Sequence, residues 1–473
     1  MCEGAKGGEK GKKTHGATLN VEVLWNLAFK FKLRSFEHTQ NTASFGVVPH
    51  SATVPVLRWL FLDLNSYFAS VEQQMDERLR GRPVAVVPMM SDATCAIAAS
   101  FEAKKFGVKT GTNIGDAKRM CPGLILVQAD HARYVAFHEK IKEEIEHHYP
   151  IEVVGSIDEM GLLLDTRHQE ESVALDLARR IKAGLQKNVG ECITCSIGIA
   201  PSKYLAKLAS DLQKPNGLTV LHLHDMPAKI SHWKLTDLCG IGRRMEPRFH
   251  AAGIQTVEQL WEASSQDLHQ IWGGVGGDRF WWELHGQDLG HFATLHSSIG
   301  HSHVLSPEFR KPPEAAIVAK RLLSKAASRL RRTEYRTRSL SLSVQTEDRR
   351  RGEAQMRLPQ GVSDTFTLMQ CLDQLWPQVM EQIRWGRVKK IGVTLNQLQS
   401  TTDPQQMELF PELQAVQSDT QSRREKLSKI MDQVNQDYGR DSIALGFVPN
   451  QAKTFSGTRI AFSRIPETAE FQE

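Results

Sequence analysis

Three acidic residues, Asp63, Asp158 and Glu159, stand at the ends of apolar stretches that are typical of buried strands. Asp63 closes "LRWLFLDLN", and the other two interrupt "VVGSIDEMGLLLD". Successive residues of a strand point to opposite faces of the sheet, so two adjacent acids can converge only where the chain turns. If both stretches neighbour each other in one sheet, three carboxylates meet at its end. Like charges held that close are costly unless a cation neutralises them.

This spacing has two interpretations. Hard oxygen ligands in an open cluster suit magnesium, which keeps several waters and shares the phosphates of a substrate. Alternatively, the three residues are exposed loop acids without a joint role. Their spacing alone does not decide between a metal site and unrelated loop charges.

The composition sets limits on the class of protein. The chain has 473 residues with 40% apolar content, enough for three or four domains, and 59 Lys and Arg against 54 Asp and Glu. This mildly basic balance allows nucleic-acid binding without requiring it. Seven Cys without framework spacing indicate a reducing compartment, and the pair Cys192 and Cys195 is expected to pack in a core. No membrane span and no signal peptide are predicted.

The elements around the acids predict a mixed α/β fold. "SYFASVEQQMDERLR" is expected to be a helix with Ser66 as its N-cap, and "SFEAKKFGV" to begin another. "RPVAVVP", "TCAIAAS" and "CITCSIGIA" have the character of short buried strands. "PSKYLAKLASDLQKPNGLTV" predicts a helix, a turn and a strand, so the acids stand among alternating elements.

Several segments together resemble one family. "LDLNSYFASVEQ", "SFEAKKFGVKTG", "SIDE", "SIGIAPSKYLAKLASDLQKPNG" and "GIG" occur in this order. They resemble the motifs of the Y-family translesion DNA polymerases, the bacterial DNA polymerase IV (DinB-like) group, over about residues 56 to 400. Several motifs in the right order are far more specific than a single pattern.

The resemblance implies an α/β (α+β) multidomain fold arranged as a right hand. The implied ranges are 1–57 for an N-terminal extension without stable structure, 58–68 and 130–222 for the palm, 69–129 for small fingers, 223–292 for a helix-hairpin-helix thumb, 293–400 for the little finger, and 401–473 for a tail with a short helix.

In this family the three acids are catalytic. By resemblance, Asp63, Asp158 and Glu159 hold two magnesium ions, and the Leu64 carbonyl completes one site. One ion would activate the primer 3′-hydroxyl for attack on the α-phosphate, and the other would carry the triphosphate and stabilise leaving pyrophosphate. The turn at Asp158 then lets adjacent acids share the metals.

Further residues are implied to bind the nucleotide. Phe68 falls at the steric-gate position, where an aromatic ring blocks a ribose 2′-hydroxyl, although a helical Phe in a core would look the same. Phe101 and Lys104 stand where the family usually has Tyr and Arg on the triphosphate. Since Phe cannot donate a hydrogen bond and Lys is only a point charge, weaker nucleotide affinity is expected. Lys214 of "KPNG" matches the phosphate-contacting lysine, and Asn65 replaces a frequent Asp.

Two regions are predicted to bind DNA. In "LCGIGRRMEPRFHAAGI", Gly240 and Gly242 would let backbone amides approach a phosphate, although a plain helix–helix turn also uses such glycines. Residues 294–400 hold 18 Lys and Arg against 9 Asp and Glu. This concentration favours contact with the duplex backbone over a merely solvated basic face. The arginines expected to contribute are Arg331, Arg332, Arg336 and Arg338.

The tail contains "TTDPQQMELFPELQ", which resembles the sliding-clamp-binding peptide of bacterial polymerases. Its pattern residues are Gln406, Met407, Leu409 and Phe410. The alternative is that these residues pack on the tail helix "REKLSKIMDQVNQDYG" or cap the little finger.

Together these features predict a low-fidelity, template-directed, magnesium-dependent DNA polymerase for translesion synthesis. Its implied partners are primer-template DNA, deoxynucleoside triphosphates and a sliding clamp, and it is expected to be a cytoplasmic, nucleoid-associated monomer. The alternative from another class is a catalytically silent, clamp-tethered adaptor on a polymerase scaffold. Such an adaptor would lack the three metal acids, which this chain retains.

Overall fold

The structure is a computed structural model that describes residues 56–290, 297–402, 411–439, 442–445 and 465–466. Most of the predicted N-terminal extension and all four clamp-pattern residues therefore lie outside the described residues. The predicted extension nevertheless reaches too far. Leu57 is only 4% exposed and packs in the core of the palm, so folded structure includes the last residues assigned to the extension.

The elements are numbered in chain order. The strands are β1 (Trp59–Leu64), β2 (Val84–Val87), β3 (Ala98–Ala99), β4 (Ile125–Gln128), β5 (Val153–Val154), β6 (Glu159–Leu163), β7 (Cys195–Ala200), β8 (Leu218–Val220), β9 (Ser298–Val304), β10 (Tyr335–Thr346), β11 (Arg351–Val362) and β12 (Val388–Ser400). The α-helices are α1 (Tyr67–Met75), α2 (Phe101–Lys104), α3 (Ile114–Met120), α4 (His131–Glu146), α5 (Glu171–Gly184), α6 (Lys203–Leu212), α7 (Glu246–Ala251), α8 (Val257–Glu262), α9 (Ser265–Trp272), α10 (Val275–Leu284), α11 (Pro312–Arg332), α12 (Thr365–Gln382) and α13 (Pro411–Asp437).

A five-stranded sheet in the order β5-β6-β1-β7-β8 occupies the region predicted as the palm and is called the palm sheet below. Its central strand β1 pairs antiparallel with β6 on one side and with β7 on the other. All six residues of β1 are buried because helices cover both faces. Leu60 and Leu62 pack towards α4 and α5, while Trp59 and Phe61 pack in a second cluster with α6. This double burial explains why β1 is continuously apolar up to its terminal acid.

A smaller sheet in the order β3-β2-β4 follows where fingers were predicted. Its two hydrophobic clusters are small, each with four or five buried residues among those described. Helix α1 instead packs in the palm core through Tyr67, Ala69 and Val71. The predicted palm–fingers boundary after residue 68 therefore falls inside a single helix. The domain ranges otherwise remain predictions.

Two local predictions were wrong. Ser66 precedes α1 but does not cap it, since its backbone is left-handed with φ of 49° and its side chain accepts no capping bond. Its hydroxyl instead accepts from Lys104 Nζ at 2.7 Å. Cys192 lies in a turn before β7, so only Cys195 of the C-x-x-C pair belongs to the buried strand.

Short helices from α7 to α10 occupy the predicted thumb, and a separate α/β unit follows. The unit has a sheet in the order β11-β10-β12-β9, with α11 and α12 packed on one face around a large apolar core. Helix α13 lies against α11 and α12 and adds polar contacts to them. In the described part of the chain no helix is long and apolar enough to span a membrane.

Candidate active site

The three predicted acids meet at one end of the palm sheet. Asp63 and Glu159 are directly opposed in the antiparallel register of β1 and β6, so their side chains share a face. Asp158 precedes β6 in a turn, and its carbonyl accepts from the Leu64 amide at 2.8 Å. Because Asp158 lies in this turn and not in the strand, Asp158 and Glu159 need not point to opposite faces of the sheet although they are adjacent in sequence.

Burial makes this cluster electrostatically demanding. Asp63 is only 7% exposed. Burial raises the pKa of Asp158 above its ordinary range, the Ser156 hydroxyl bound to it works in the opposite direction, and the charge of Asp63 raises it further. Carboxylates held this way favour any neighbouring cation.

Two lysine ammonium groups provide that positive charge. Lys207 of α6 contacts Asp63 Oδ2 and lies 2.9 Å from Glu159 Oε1. Lys214 Nζ lies 2.8 Å from Asp63 Oδ1 and 2.7 Å from Asp211 Oδ1. Burial would lower the pKa of Lys207, but the acids around it, Asp63 first, outweigh burial and raise it. Lys207 therefore remains charged and bridges two strands of the palm.

Sequence reasoning missed Lys207. The available signal is its position in "KYLAKLASDL", where a lysine interrupts a helix whose neighbouring residues Ala206 and Leu208 are fully buried. A lysine retained in such a place usually has an acidic partner. The identity of that partner could not be derived, because it lies on strands distant in sequence.

The donor set fits divalent metal ions. Carboxylate oxygens at a sheet end, already close enough to share one ammonium, are the hard ligands that magnesium and similar ions prefer. Among the described residues, no three carboxylate, imidazole or thiolate groups have side-chain positions that could together hold a metal ion. Lys207 and Lys214 are cations that metal ions would have to displace, by rotations of flexible side chains. The metal-ligand roles of the three acids and Leu64 remain predictions.

Phe68 lies on α1, which follows β1 and its terminal acid in the chain. Its ring stacks on that of Tyr134, with centroids 4.3 Å apart and planes 13° apart. The Tyr134 hydroxyl donates to Glu72 Oε1 at 2.7 Å, and Arg133 donates to Glu72 Oε2 at 2.6 Å. Because Glu72 is only 3% exposed, this network holds Tyr134 and hence the ring of Phe68 in place. A rigid ring can exclude a substituent by bulk, as the gate prediction requires.

Two of the residues predicted to bind the triphosphate, Phe101 and Lys104, contact each other. Lys104 Nζ lies 4.7 Å from the centre of the Phe101 ring and donates to Ser66 Oγ. Burial, followed by the charge of Lys214, lowers the pKa of Lys104. Two cations that raise each other's electrostatic energy form a good site for a polyanion. Phe101 has no hydroxyl with which to bind the triphosphate, and the face of its ring instead contacts the ammonium of Lys104.

The predicted thumb glycines lie at an exposed turn. Gly240 has φ of +90°, a backbone conformation that side-chain-bearing residues rarely adopt. A Cβ at Gly242 would meet no atom within 4 Å, so the backbone is open to approach on that side. Short helix α7 begins four residues later. DNA contact by this turn remains a prediction.

The little-finger arginines are placed differently from the expectation. The Arg331 side chain is only 6% exposed and forms a bidentate pair with Asp432 of α13, at 2.6 and 2.8 Å. Arg336 lies 3.3 Å from Glu425 of the same helix. Arg338 donates to the Pro359 carbonyl at 2.7 Å.

These arginines therefore have partners inside the protein. A buried, bidentate pair is a structural contact, so the structure does not support Arg331 as a DNA contact. Arg332 is exposed at the last residue of α11.

The sheet β11-β10-β12-β9, in the region predicted as the little finger and called the little-finger sheet below, has other cations on the face that α11 and α12 leave open. Strand pairing aligns Ser339 with Arg357, Ser341 with Gln355, and Gln345 with both Arg351 and Lys390, so these side chains share one face. The face opposite carries Leu340, Leu342 and Val344, which pack on α11 and α12. On this face Ser343 is exposed and Ser341 is half-buried, whereas Ser339 is buried, and exposed cations stand at its rim. The exposed rim cations are Arg351, Arg357 and Lys390.

Similarities to known proteins extend over most of the chain. Residues 62–211 match the family model described as the impB/mucB/samB family, and residues 296–409 match its C-terminal domain. DNA polymerase IV of Moorella thermoacetica is 32% identical over 396 residues, which cover 80% of this chain and 93% of that protein. DNA polymerase IV of Pelotomaculum thermopropionicum is 31% identical over 401 residues, covering 81% and 93%.

The fold also resembles a solved structure. A Y-family DNA polymerase chimera of Dbh and Dpo4 superposes with a TM-score of 0.62 at 23% sequence identity. The alignment covers 72% of this chain and 99% of the chimera. At that identity the likeness concerns the fold, and it agrees with the multidomain α/β architecture expected from the sequence.

Proposed function

We propose roles for the residues of the acid cluster on the premise that this chain belongs to the impB/mucB/samB family, the Y-family DNA polymerases. Its activity is DNA-directed DNA polymerisation of low fidelity, which serves translesion synthesis in damage tolerance. The reaction uses divalent metal ions, primer-template DNA and deoxynucleoside triphosphates. The observation that carries the site assignment is the register that opposes Asp63 and Glu159, with the Asp158 turn beside them.

The metal ions are proposed to be two magnesium ions held by Asp63, Asp158, Glu159 and the Leu64 carbonyl. When bound, they supply Lewis-acid activation of the primer hydroxyl and charge compensation for the leaving pyrophosphate. The carboxylates fix the place of this chemistry because the palm sheet and the turn hold them rigidly. Before metal ions bind, Lys207 compensates the negative charge of the cluster, because its ammonium contacts both Asp63 and Glu159.

The nucleotide is proposed to lie between the gate and the lysines. Lys104 and Lys214 would bind the triphosphate, and Phe101 would support Lys104. Phe68, backed by Tyr134, would contact the sugar and leave no space for a 2′-hydroxyl. These roles use the side chains where they stand, except that Lys214 exchanges a carboxylate of Asp63 for a phosphate.

DNA is proposed to lie along the thumb turn and the open face of the little-finger sheet. We assign phosphate contacts there to Arg351, Arg357 and Lys390, together with the backbone at Gly240 and Gly242. Small hydroxyl residues allow a duplex to approach the sheet closely, and rim cations bind phosphates without reading sequence. Arg331 and Arg336 instead anchor α13.

The polymerase assignment is tested by primer extension on an undamaged template and on one with a blocking lesion. Extension past the lesion is expected with magnesium, no extension with excess chelator, and recovery when magnesium is restored. An adaptor without catalysis would bind primer-template equally well and extend neither template. Extension that persists in chelator would contradict the metal mechanism.

The clamp interaction remains a separate proposal. The pattern residues Gln406 and Phe410 stand in the segment between the end of β12 at Ser400 and the start of α13 at Pro411. Apolar residues of such a peptide would enter a clamp pocket while Gln406 bonds at its rim. Tethering raises the effective concentration of the enzyme at the primer end. We further propose a cytoplasmic monomer that acts at the nucleoid, where its template is.

Leu409→Ala combined with Phe410→Ala is expected to remove stimulation of synthesis by a loaded clamp and to spare clamp-independent extension. The matched control is Leu427→Ala with Ile430→Ala, which removes apolar side chains that are 46% and 59% exposed on α13. That control should retain stimulation. Equal stimulation of the first variant and the parent would contradict the tether, and loss of basal extension would favour a packing role for the pattern.

A further inference from the structure

Lys182, in the last turn of α5, makes three hydrogen bonds to backbone carbonyls. Its ammonium donates to Cys195 O at 2.7 Å, to Asn216 O at 2.9 Å and to Gly217 O at 3.0 Å. An ammonium group has three donors, so all of them are used. Burial lowers the pKa of Lys182, as expected for a lysine withdrawn from water.

The three acceptors belong to two segments that are separate in sequence. Cys195 begins β7 and pairs with Leu64 of β1, next to Asp63. Asn216 and Gly217 end the "KPNG" loop, which begins with Lys214. Lys182 thus connects the loop that bears the proposed phosphate lysine to the strands that bear the acids.

Backbone amides of the same loop donate to two polar side chains, those of Asn65 and Ser196. Asn65 is only 2% exposed. In the amide orientation that satisfies both ends of its side chain, it accepts from the Asn216 amide at 3.0 Å and donates to Ser196 Oγ at 3.0 Å. Ser196 Oγ in turn accepts from the Gly217 amide at 3.3 Å. The loop is closed tightly, because a Cβ at Gly217 would lie 1.9 Å from the Gln213 carbonyl oxygen. The shape of the loop therefore depends on its hydrogen bonds to Lys182, Asn65 and Ser196.

A lysine near the end of a helix often binds the free carbonyls of its own helix. Lys182 does not, since the three carbonyls that accept from its ammonium all lie outside α5. Its position is explained by the loop.

We infer that Lys182 is a positioning residue for nucleotide binding: it holds the "KPNG" loop so that Lys214 faces the acid cluster. Lys214 Nζ lies 2.8 Å from Asp63 Oδ1 in this arrangement. Without the ammonium, each of the three carbonyls would lose one donor, and the loop would sample positions in which Lys214 no longer reaches the triphosphate. The inference rests on the proposed role of Lys214.

The test measures single-nucleotide incorporation at saturating primer-template. Lys182→Met removes the donors and keeps much of the aliphatic stem. It is expected to raise the KM for the nucleotide roughly tenfold or more while kcat changes less than about threefold, since ground-state positioning is lost. DNA affinity should be unchanged. Lys182→Arg keeps charge and donors in a different geometry and should give a smaller rise in KM. Lys187→Met, at an exposed lysine five residues on, is the matched control and should behave as the parent.

Amide hydrogen exchange supplies a readout independent of catalysis. Lys182→Met should accelerate exchange at Gly217 and at Ile197, whose amide donates to the Gly217 carbonyl at 3.1 Å, and leave β6 protected. An unchanged KM in Lys182→Met overturns the inference, as does a parallel loss of kcat, DNA affinity and melting temperature. Should that variant fail to fold, Lys182→Arg decides, and a KM equal to the parent's overturns the inference.

Lys214→Met separates this inference from its premise. If it leaves the KM unchanged, the proposed phosphate role of Lys214 is wrong. If it raises the KM while Lys182→Met does not, only the positioning role of Lys182 is wrong.

Discussion

Asp158→Asn and Glu159→Gln are each expected to reduce primer extension by at least ~1,000-fold, because each removes a negative charge proposed to hold the metal ions. Both substitutions keep the size of the side chain, so the palm sheet is expected to fold. Binding of primer-template should stay within about threefold of the parent, since the proposed DNA contacts lie elsewhere. The measurements are single-turnover extension and fluorescence anisotropy of labelled primer-template.

Asp165→Asn provides a matched control for these variants. Asp165 is an exposed palm acid that follows the opposite end of β6 and contacts His168. Its neutralisation should leave extension unchanged. Near-parental extension by either Asp158→Asn or Glu159→Gln would contradict the catalytic assignment of the cluster, whereas a loss in all three variants would indicate a general effect of charge on the palm.

Phe68→Ala is expected to admit ribonucleotides, with discrimination against them falling at least ~100-fold. The reason is steric: only the ring, stacked 4.3 Å from Tyr134, is proposed to occupy the space of a 2′-hydroxyl. Incorporation of deoxynucleotides should persist, because the phenyl ring of Phe68 has no group that donates or accepts a hydrogen bond. The measurement compares kcat/KM for matched ribo- and deoxynucleoside triphosphates.

Phe106→Ala is the control for the gate variant. Phe106 is 52% exposed, and no cavity is expected when its ring is removed. Sugar discrimination should equal that of the parent. An active Phe68→Ala enzyme that still rejects ribonucleotides as strongly as the parent would show that another group excludes the 2′-hydroxyl.

The strands, helices and acids near the site could largely be predicted from the sequence, because apolar runs and their boundaries are local signals. "LRWLFLDLN" and "CITCSIGIA" contain β1 and β7 as expected. The register that opposes Asp63 and Glu159 could not be derived, since it joins residues about a hundred positions apart. Lys207 and Lys182 were missed for the same reason: their partners are set by tertiary packing.

The little finger shows a different limit. Its basic charge was evident, but the charge of a residue does not reveal which face it occupies. The alternation in "SLSLSVQ" distinguishes the open face of β10 from its core face. The cations Arg351 and Arg357 lie on β11 and join the open face through the pairing register, which local patterns do not specify. The pairing of Arg331 with Asp432 depends on the docking of α13, which local sequence patterns do not specify.

The central claim, that the three carboxylates hold the metal ions of nucleotidyl transfer, is tested most directly by counting bound ions. Manganese can replace magnesium, and its binding to a complex with non-extendable primer-template and incoming nucleotide is measurable by electron paramagnetic resonance. The account predicts about two tightly bound ions per parent molecule and at least one fewer for Asp158→Asn and Glu159→Gln. Equal numbers of tightly bound ions, with equal affinities, in the parent and both variants would contradict it.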